Sequence, residues 1–542
     1  ERSVIFYLTA RNEGARPPEE TLSLVCASAP ELRFCSLEAK EKICIYDGDN
    51  NGSDGTKKKD GSRKCDPNNC PYAKHHFDNE PAAIKEAIGS ERNFIDREFV
   101  RELSAKHMVC PFELMLDLTL FCDVVIGDYN YLFDPESYLK RWFSDESGRY
   151  YFLIDEAHQL PDRVRTMYSS SISSDALMRC TKGKKRQKIG KKLVKMAGLC
   201  SEFQIDEGSE KEFLKELDES ADLALEYLED HDDEKLLDLC FEMLHFKTVS
   251  AYIQSGGSIL HHSDIDGGTV SVYCMDPSVI IREKCGQSDG AVLFSATLLP
   301  ENYYKSELGG EDMPFVSVRS PFPEENMLAL AGTFADTRYR AREASLPGIA
   351  SFIENLSKSV KKGNYIVFFS SYAFMESVYS LLDKNFRTEA VFMQPRKSVQ
   401  ADRSAFVSGF TEGPEKLHIG FCVLGGSFSE GLDLPGDRLS GAVIVGTGLP
   451  QVGEYTELLR AYYDSNNRAG FESAYFYPGV NKVIQAAGRV IRSHEDRGFV
   501  LFLDSRYARR DHIDAISNCY RYTVCRDPEK VISMIVDFIS EI

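Results

Sequence analysis

The chain reads as an α/β protein made of two doubly wound parallel-sheet units. Three observations predict this. Short apolar runs alternate with helical patterns through both halves, the signature of strands joined by helical crossovers. Several runs stop abruptly at polar or acidic residues, as buried parallel strands do when they deliver side chains to the carboxyl edge of a sheet. At 542 residues, 43% hydrophobic and 27% charged, the chain has an ordinary globular composition and is too long for one core.

Taken in order, Ser3 to Ala10 is a strand that runs into the polar loop Thr9-Ala10-Arg11-Asn12-Glu13-Gly14-Ala15-Arg16. Between Lys40 and Phe112 the periodicity breaks down. This stretch carries a Gly/Asp/Asn/Lys-rich loop, Asp47 to Lys64, and four cysteines, Cys44, Cys65, Cys70 and Cys110, the last two followed by proline. Thiols in a segment too irregular for its own core suggest stapling by a metal centre. Cys26, Cys35 and Cys122 lie in apolar patterns and read as core. Asp123 to Gly127 is a further strand, and Tyr150 to Ile154 another, ending in Asp155-Glu156-Ala157-His158.

Ser169 to Ser250 reads as helical, with a densely basic run, Lys182 to Lys195, followed by a densely acidic one, Glu202 to Glu234. The acidic half reads as a solvated face; for the basic half, solvated face and nucleic-acid contact stay open. Strand signals return at Thr269 to Met275 and Ala291 to Phe294, before Ser295-Ala296-Thr297. Pro321 and Pro323 mark a boundary. Beyond them Tyr365 to Phe369, Glu389 to Met393, His418 to Leu424, Ala442 to Val445 and Phe499 to Leu503 alternate with helical patterns as a second α/β unit.

A net charge of −20 excludes a uniformly basic surface but leaves room for a local basic channel. Fifteen cysteines and no signal-peptide pattern indicate a reducing compartment, the cytoplasm. No apolar run has the length of a membrane span. The opening Glu1-Arg2-Ser3, directly before a strand, reads as a cut rather than a natural start.

The chemistry-bearing residues recur in a set order. An aspartate at a strand's carboxyl edge, Asp155, can hold Mg²⁺ against nucleotide phosphates, and its neighbour Glu156 can orient an attacking water. The second unit carries Gly425 to Gly436, containing Glu430-Gly431-Leu432-Asp433, and then Gln485-Ala486-Ala487-Gly488-Arg489-Val490-Ile491-Arg492. Arg489 and Arg492, three apart, would share one face of a helix and could clamp the charge of a transferring phosphate.

This order resembles the superfamily 2 helicases, specifically the iron–sulfur XPD/DinG-like branch and its bacterial DinG-like members. Thr9-Ala10-Arg11 resembles motif Ia, Asp155 to His158 motif II, Ser295 to Thr297 motif III, Phe368-Phe369-Ser370-Ser371 motif IV, Gly425 to Gly436 motif V and Gln485 to Arg492 motif VI. The resemblance implies two RecA-like motor domains, the first interrupted by an iron–sulfur insert and a helical arch. The first motor domain would comprise 1–40, 116–168 and 256–325, the iron–sulfur domain 41–115, the arch 169–255 and the second motor domain 326–542. It implies ATP-driven 5′-to-3′ translocation on single-stranded DNA by a monomer acting on forked or displaced-loop DNA in repair or replication. Asp155 and Glu156 would serve catalysis with Mg²⁺. His158 and Gln485 would sense the nucleotide, Gly431, Asp433, Arg489 and Arg492 would bind it, and Asp433 and Glu430 would couple it to DNA. A [4Fe–4S] cluster would sit on Cys44, Cys65, Cys70 and Cys110. Thr9, Arg11, Arg16, Lys184, Lys185, Arg186 and Ser370 would touch DNA.

One motif of the family has no match: no Walker A loop, Gly-x₄-Gly-Lys-[Ser/Thr], occurs in these residues. Three alternatives therefore stand beside the helicase reading. The cysteines could hold zinc, although only Cys65-x₄-Cys70 is close-spaced. The chain could be a DNA-binding scaffold without ATPase activity. It could also be the helicase part of a longer nuclease–helicase.

Overall fold

The computed structural model describes residues 3–10, 12–46, 70–143, 149–184, 187–253, 256–396, 400–426, 434–517 and 519–540. It divides into two compact units, the first spanning Glu1–Leu298 and Tyr304–Met313, the second Leu299–Tyr303 and Pro314–Ile542.

In the first unit the strands are β1 (Ser3–Thr9), β2 (Phe34–Ser36), β3 (Phe94–Ile95), β4 (Val124–Asp128), β5 (Arg149–Ile154), β6 (Ser170–Ser173), β7 (Ser258–Ser263), β8 (Thr269–Cys274) and β9 (Gly290–Leu293). Six of them form one sheet in the order β3-β2-β4-β1-β5-β9, and every pairing is parallel. Leu8 pairs with Gly127 on one side and Ile154 on the other, so β1, β4 and β5 end level at their carboxyl edge. Phe6 on β1 packs edge-on against Trp142, Tyr150 and Phe152, with ring centroids 5.5 to 6.0 Å apart. This aromatic cluster fixes one face of the sheet.

The cysteine-bearing insert has more structure than its sequence suggests. Helices His76–Gly89, Arg97–His107 and Pro111–Leu118 pack on one another and bury Ala83, Ala87, Val100, Leu103, Leu114 and Leu118. Between the first two of these helices the chain contributes β3 to the edge of the parallel sheet. The expectation of a coreless segment is thus corrected. The helices are short and their apolar positions small or interleaved with charge, which weakens the periodicity read along the chain.

The helical insert holds helices Ser174–Cys180, Lys188–Ser201, Glu207–Asp230 and Glu234–Ser250. They pack with a small antiparallel sheet, β6-β8-β7. The hairpin of β7 and β8 therefore belongs with this insert, and the boundary expected at residue 255 falls inside it. The basic and acidic runs meet. Lys195 reaches Glu216 at 2.7 Å, and Lys192 bonds both Glu216 and Glu219. The abrupt reversal of charge along the chain is the charge pairing of two neighbouring helices.

The second unit contains β10 (Met327–Gly332), β11 (Gly363–Phe369), β12 (Val391–Met393), β13 (Leu417–Val423), β14 (Gly441–Val445), β15 (Gly498–Leu503) and β16 (Thr523–Cys525). They form one parallel sheet in the order β12-β13-β11-β14-β15-β10-β16. Both faces are covered. Tyr365, Val367 and Phe369 of β11 face one core with helix Arg342–Val360, while Ile366 and Phe368 face another with helix Tyr477–Ala487. This alternation is the packing of a doubly wound sheet. Among the described residues no helix is long and apolar enough to cross a membrane.

Candidate active site

The Asp-Glu-Ala-His run leaves β5 at the carboxyl edge and is held from both sides. The Asp155 N–H donates to the Leu8 carbonyl at 2.9 Å, and the Ala157 N–H to the Phe294 carbonyl at 3.0 Å. Glu156 itself adopts a left-handed backbone, φ 49° and ψ 39°, a conformation non-glycine residues hold only where their surroundings impose it. Asp155 is pinned: its Oδ1 accepts the Glu156 N–H at 2.7 Å and its Oδ2 accepts the Tyr7 hydroxyl at 3.1 Å. Tyr129, fully buried, donates to the Asp155 carbonyl.

Burial pushes the Asp155 carboxyl above its usual range, with the Glu156 charge adding to it and the Glu156 N–H and Tyr7 hydroxyl opposing. Tyr7 and Tyr129 are in turn driven well above the normal phenol range, chiefly by burial and then by the two carboxylates. Both stay protonated donors at neutral pH.

Ser295 joins this turn to the segment after β9. Its hydroxyl donates to Glu156 Oε2 at 3.1 Å and lies 2.7 Å from His158 Nδ1. A serine has one proton to give, so with Glu156 as its acceptor the 2.7 Å contact requires His158 Nδ1–H as donor. His158 Nδ1 is also 3.2 Å from Glu156 Oε2, and the Thr297 N–H donates back to Ser295 Oγ at 3.2 Å. Glu156, His158 and Ser295 therefore form one network. The His158 side chain is buried while that of Glu156 is 46% exposed. This is a carboxylate held by a dry support and presented to solvent.

In the second unit Gln485 lies near the end of helix Tyr477–Ala487, half-buried, with its neighbours Ala486 and Ala487 buried. The helix stops at Ala487, so Arg489 and Arg492 do not share a helical face, contrary to the spacing argument. Asp496 accounts for the turn. Its Oδ2 accepts the N–H groups of Arg492 at 2.7 Å and Ser493 at 2.8 Å, while Oδ1 accepts the Ser493 hydroxyl at 2.8 Å and the Gly436 N–H at 3.1 Å. Burial raises the Asp496 carboxyl, but Ser493 and these backbone donors prevail and hold it below the usual range. One buried carboxylate thus ties the Arg492 turn to the end of the glycine-rich loop. Glu430, Gly431 and Asp433 lie outside the described residues.

The expected DNA-contacting residues divide. Ser370 follows β11 at the carboxyl edge, one residue before Ser371, which caps the next helix through the Phe374 N–H. Arg16 opens helix Arg16–Cys26, is exposed and pairs with Glu20 at 2.8 Å. Thr9 is a correction: it is buried under the turn, with Gly14 so close that a β-carbon there would come within 3.0 Å of the Thr9 side chain. It shapes the loop and offers no surface to a phosphate. Lys184 is a second correction: it is buried, bonded to Asp233 and, at 3.2 Å, to the Cys180 carbonyl, because the acidic helices absorb this lysine's charge. Arg11, Lys185 and Arg186 lie outside the described residues.

Of the four cysteines, Cys65 lies outside the described residues. Cys70 caps the amino end of helix Pro71–Lys74 and Cys110 that of Pro111–Leu118; Cys44 ends helix Lys40–Ile43. Burial raises the Cys110 thiol, opposed by the N–H groups of Glu113 and Phe112. Among the described residues Cys44, Cys70 and Cys110 do not form a group of ligand atoms within 4.8 Å of one another.

Tyr7, Tyr129 and Ser295 were not singled out as individual site residues. The available signal was register: Tyr7 on β1 and Ser295 after β9 belong to the two strands that flank β5 and reach its terminal carboxylates, while Tyr129 follows β4, one strand further out, and reaches the Asp155 carbonyl.

Two parallel RecA-like sheets, the first presenting this carboxylate turn and the second the arginine turn, define a superfamily 2 helicase architecture. The family profile described as "Helicase C-terminal domain" matches residues 353–522, and DEAD_2 matches residues 19–177. The chain is 22% identical over 597 residues to the ATP-dependent DNA helicase CHL1 of Debaryomyces hansenii, covering 94% of this chain and 72% of that protein. It is 29% identical over 246 residues to the ATP-dependent DNA helicase DinG of Photobacterium profundum, covering 42% of this chain and 33% of that one. Against the ATP-dependent DNA helicase YoaA of Escherichia coli it is 24% identical over 400 residues, 66% of this chain and 60% of YoaA. A solved XPD helicase superposes with a TM-score of 0.58 at 18% identity, over 96% of this chain and 91% of its own. Xpd4 of S. tokodaii gives 0.52 at 15% identity, over 76% and 87%. The chain belongs to the XPD/DinG-like branch of the superfamily 2 helicases.

Proposed function

We propose that the chain is the motor of an ATP-dependent DNA helicase that moves 5′-to-3′ along single-stranded DNA. The observation that carries this is the Glu156–Ser295–His158 network, which joins the Asp-Glu-Ala-His turn to Ser-Ala-Thr at one sheet edge. Asp155, offering only oxygen donors, would hold Mg²⁺, which supplies charge neutralisation to the phosphates. Glu156 orients the water. His158, through Ser295, registers where Glu156 points. Arg489 and Arg492 bind the triphosphate, Gln485 senses it, and Gly431, Asp433 and Glu430 couple it to the strand. Arg16, Ser370 and Arg11 would contact DNA phosphates. Residues 41–115 form the cluster domain, in which Cys44, Cys65, Cys70 and Cys110 would hold a [4Fe–4S] centre whose contribution is to order the fold. The arch, the two motor domains, a monomeric state, a cytoplasmic location, a part in repair or replication, and a preference for forked or displaced-loop DNA complete the reading.

The experiment is DNA-stimulated ATP hydrolysis and strand displacement by the natural full-length protein. Displacement should need a 5′ tail and be abolished in Glu156→Gln and Arg489→Ala. Displacement from a 3′ tail alone would overturn the polarity, and hydrolysis that survives Glu156→Gln would overturn the site. With no Walker A loop in them, the 542 residues alone should bind single-stranded DNA but hydrolyse ATP no faster than their Glu156→Gln variant.

A further inference from the structure

We propose that His76, Glu80 and Asp117 form a binding site for one Zn²⁺ ion, distinct from the four cysteines. His76 and Glu80 stand one turn apart at the start of helix His76–Gly89, and Asp117 lies near the end of helix Pro111–Leu118. One ligand atom from each falls within 4.8 Å of the other two. The His76 Nε2 is 3.4 Å from Asp117 Oδ2 and 4.0 Å from Glu80 Oε2.

The distances are longer than a closed ion pair and compatible with a metal site. A charged imidazole bonded to a carboxylate closes to about 2.7–2.9 Å. Tetrahedral zinc with ligands at ~2.0–2.1 Å places neighbouring ligand atoms ~3.3–3.4 Å apart, the edge of the tetrahedron. The 3.4 Å spacing matches that edge, and the 4.0 Å spacing needs a shift of well under an ångström. The imidazole supplies the second observation. Its side chain is 3% exposed, yet neither ring nitrogen has a hydrogen-bond partner. An imidazole stripped of water without a bond is costly unless something takes its lone pair.

The donor set selects the ion. One neutral imidazole and two carboxylates suit zinc, and two negative charges balance the ion's two positive ones. Glu80 and Asp117 are 21% and 17% exposed, so the ion has a way in and water can take the fourth position. The location gives it a purpose. Asp117 shares a helix with Cys110 at its amino end, and His76 begins the helix that follows Cys70 and Pro71–Lys74. An ion here clamps together the two segments that present these cysteines.

The test uses the full chain, with metal content measured after zinc exposure and desalting, and Co²⁺ as a spectroscopic probe. One zinc equivalent should bind beyond whatever the thiols hold, and Zn²⁺ but not Mg²⁺ should raise the melting temperature. Co²⁺ in that site should show d–d bands without thiolate charge transfer. Asp117→Asn and Glu80→Gln should each weaken binding at least as much as the ~10–100-fold that loss of an outer partner costs at such sites, with iron content unchanged. Zinc uptake lost only in Cys44→Ser would put the metal on the thiols and overturn the proposal. So would uptake indifferent to both carboxylate variants. Should either variant fail to fold, the wild-type Co²⁺ spectrum decides: only thiolate-type bands, or none, would overturn it.

Discussion

Replacing Ser295 by alanine tests the proposed active site most directly, because one hydroxyl contacts both Glu156 and His158. The hydroxyl's single proton goes to Glu156 Oε2 at 3.1 Å. A hydrogen bond to a charged group is worth about 1.5–3 kcal/mol, and the 46% exposure of the Glu156 side chain lets water replace part of it, favouring the low end. His158 is not orphaned by the change, since Glu156 Oε2 already lies 3.2 Å from its Nδ1. The net loss is thus about 1.5 kcal/mol, felt by the orientation of Glu156 rather than by nucleotide binding. At 1.36 kcal/mol per tenfold, kcat for DNA-stimulated ATP hydrolysis should fall roughly tenfold. The KM for ATP and the affinity for single-stranded DNA should stay within about twofold, since the hydroxyl makes no contact expected to differ between bound and free states. The assay is steady-state hydrolysis by the natural full-length protein at saturating DNA. A kcat within twofold of wild type, or a raised KM at unchanged kcat, would show that Ser295 does not position Glu156.

Three further outcomes follow from other parts of the chain. Glu307→Gln replaces the carboxylate that pairs with the buried Arg165 guanidinium by a neutral amide, so a buried charge loses its counter-charge; it should cost about 3–5 kcal/mol in chemical denaturation, and a loss under about 1 kcal/mol would refute the pairing. Lys184→Met should leave the salt dependence of single-stranded DNA binding unchanged, because its ammonium is already neutralised by Asp233; a slope reduced by about 0.7, one phosphate contact, would reverse that assignment. Burial lowers the His418 pKa from 6.5 to about 4, so the unfolded chain takes up a proton that the folded one refuses, and stability should be lost as pH falls from about 6.5 towards 4. His418→Phe keeps a ring stacked on Phe392 and edge-on to Phe410 and should narrow the gap between unfolding midpoints at pH 7 and pH 5; an unchanged gap would assign the acid sensitivity elsewhere.

The parallel strands were legible because each is buried on both faces and must be continuously apolar, whatever lies around it. Tyr365 to Phe369 is such a run, and no alternative structure satisfies it as well. The insert between β2 and β4 was not legible for the opposite reason. Its helices bury alanines and isolated leucines against each other, so the information sits in pairings among three segments and not in the period of any one. The two-residue strand β3 is a stronger case: Phe94 stacks on Phe34 at 4.5 Å, a contact between positions sixty residues apart that no local pattern announces.

At the site, residue identity was legible and residue setting was not. Asp155 and Glu156 stand out because two acids at the end of an apolar strand have few uses. The three-residue spacing of Arg489 and Arg492 promised a shared helical face, but spacing implies a face only while the helix lasts. This one ends at Ala487, ahead of Gly488 and two β-branched residues, and the following turn is built around Asp496, whose four accepted hydrogen bonds reach back to Gly436. Lys184 and Lys192 of the basic run show the same limit. Charge density along a chain reports how many ions there are, and only the fold reports whether each has met its counter-ion. Lys184 met Asp233, and Lys192 met Glu216 and Glu219, from segments downstream. A basic run followed at once by an acidic run of similar length should therefore be read first as a helix pair neutralising itself, and as a nucleic-acid surface only for the cations left over.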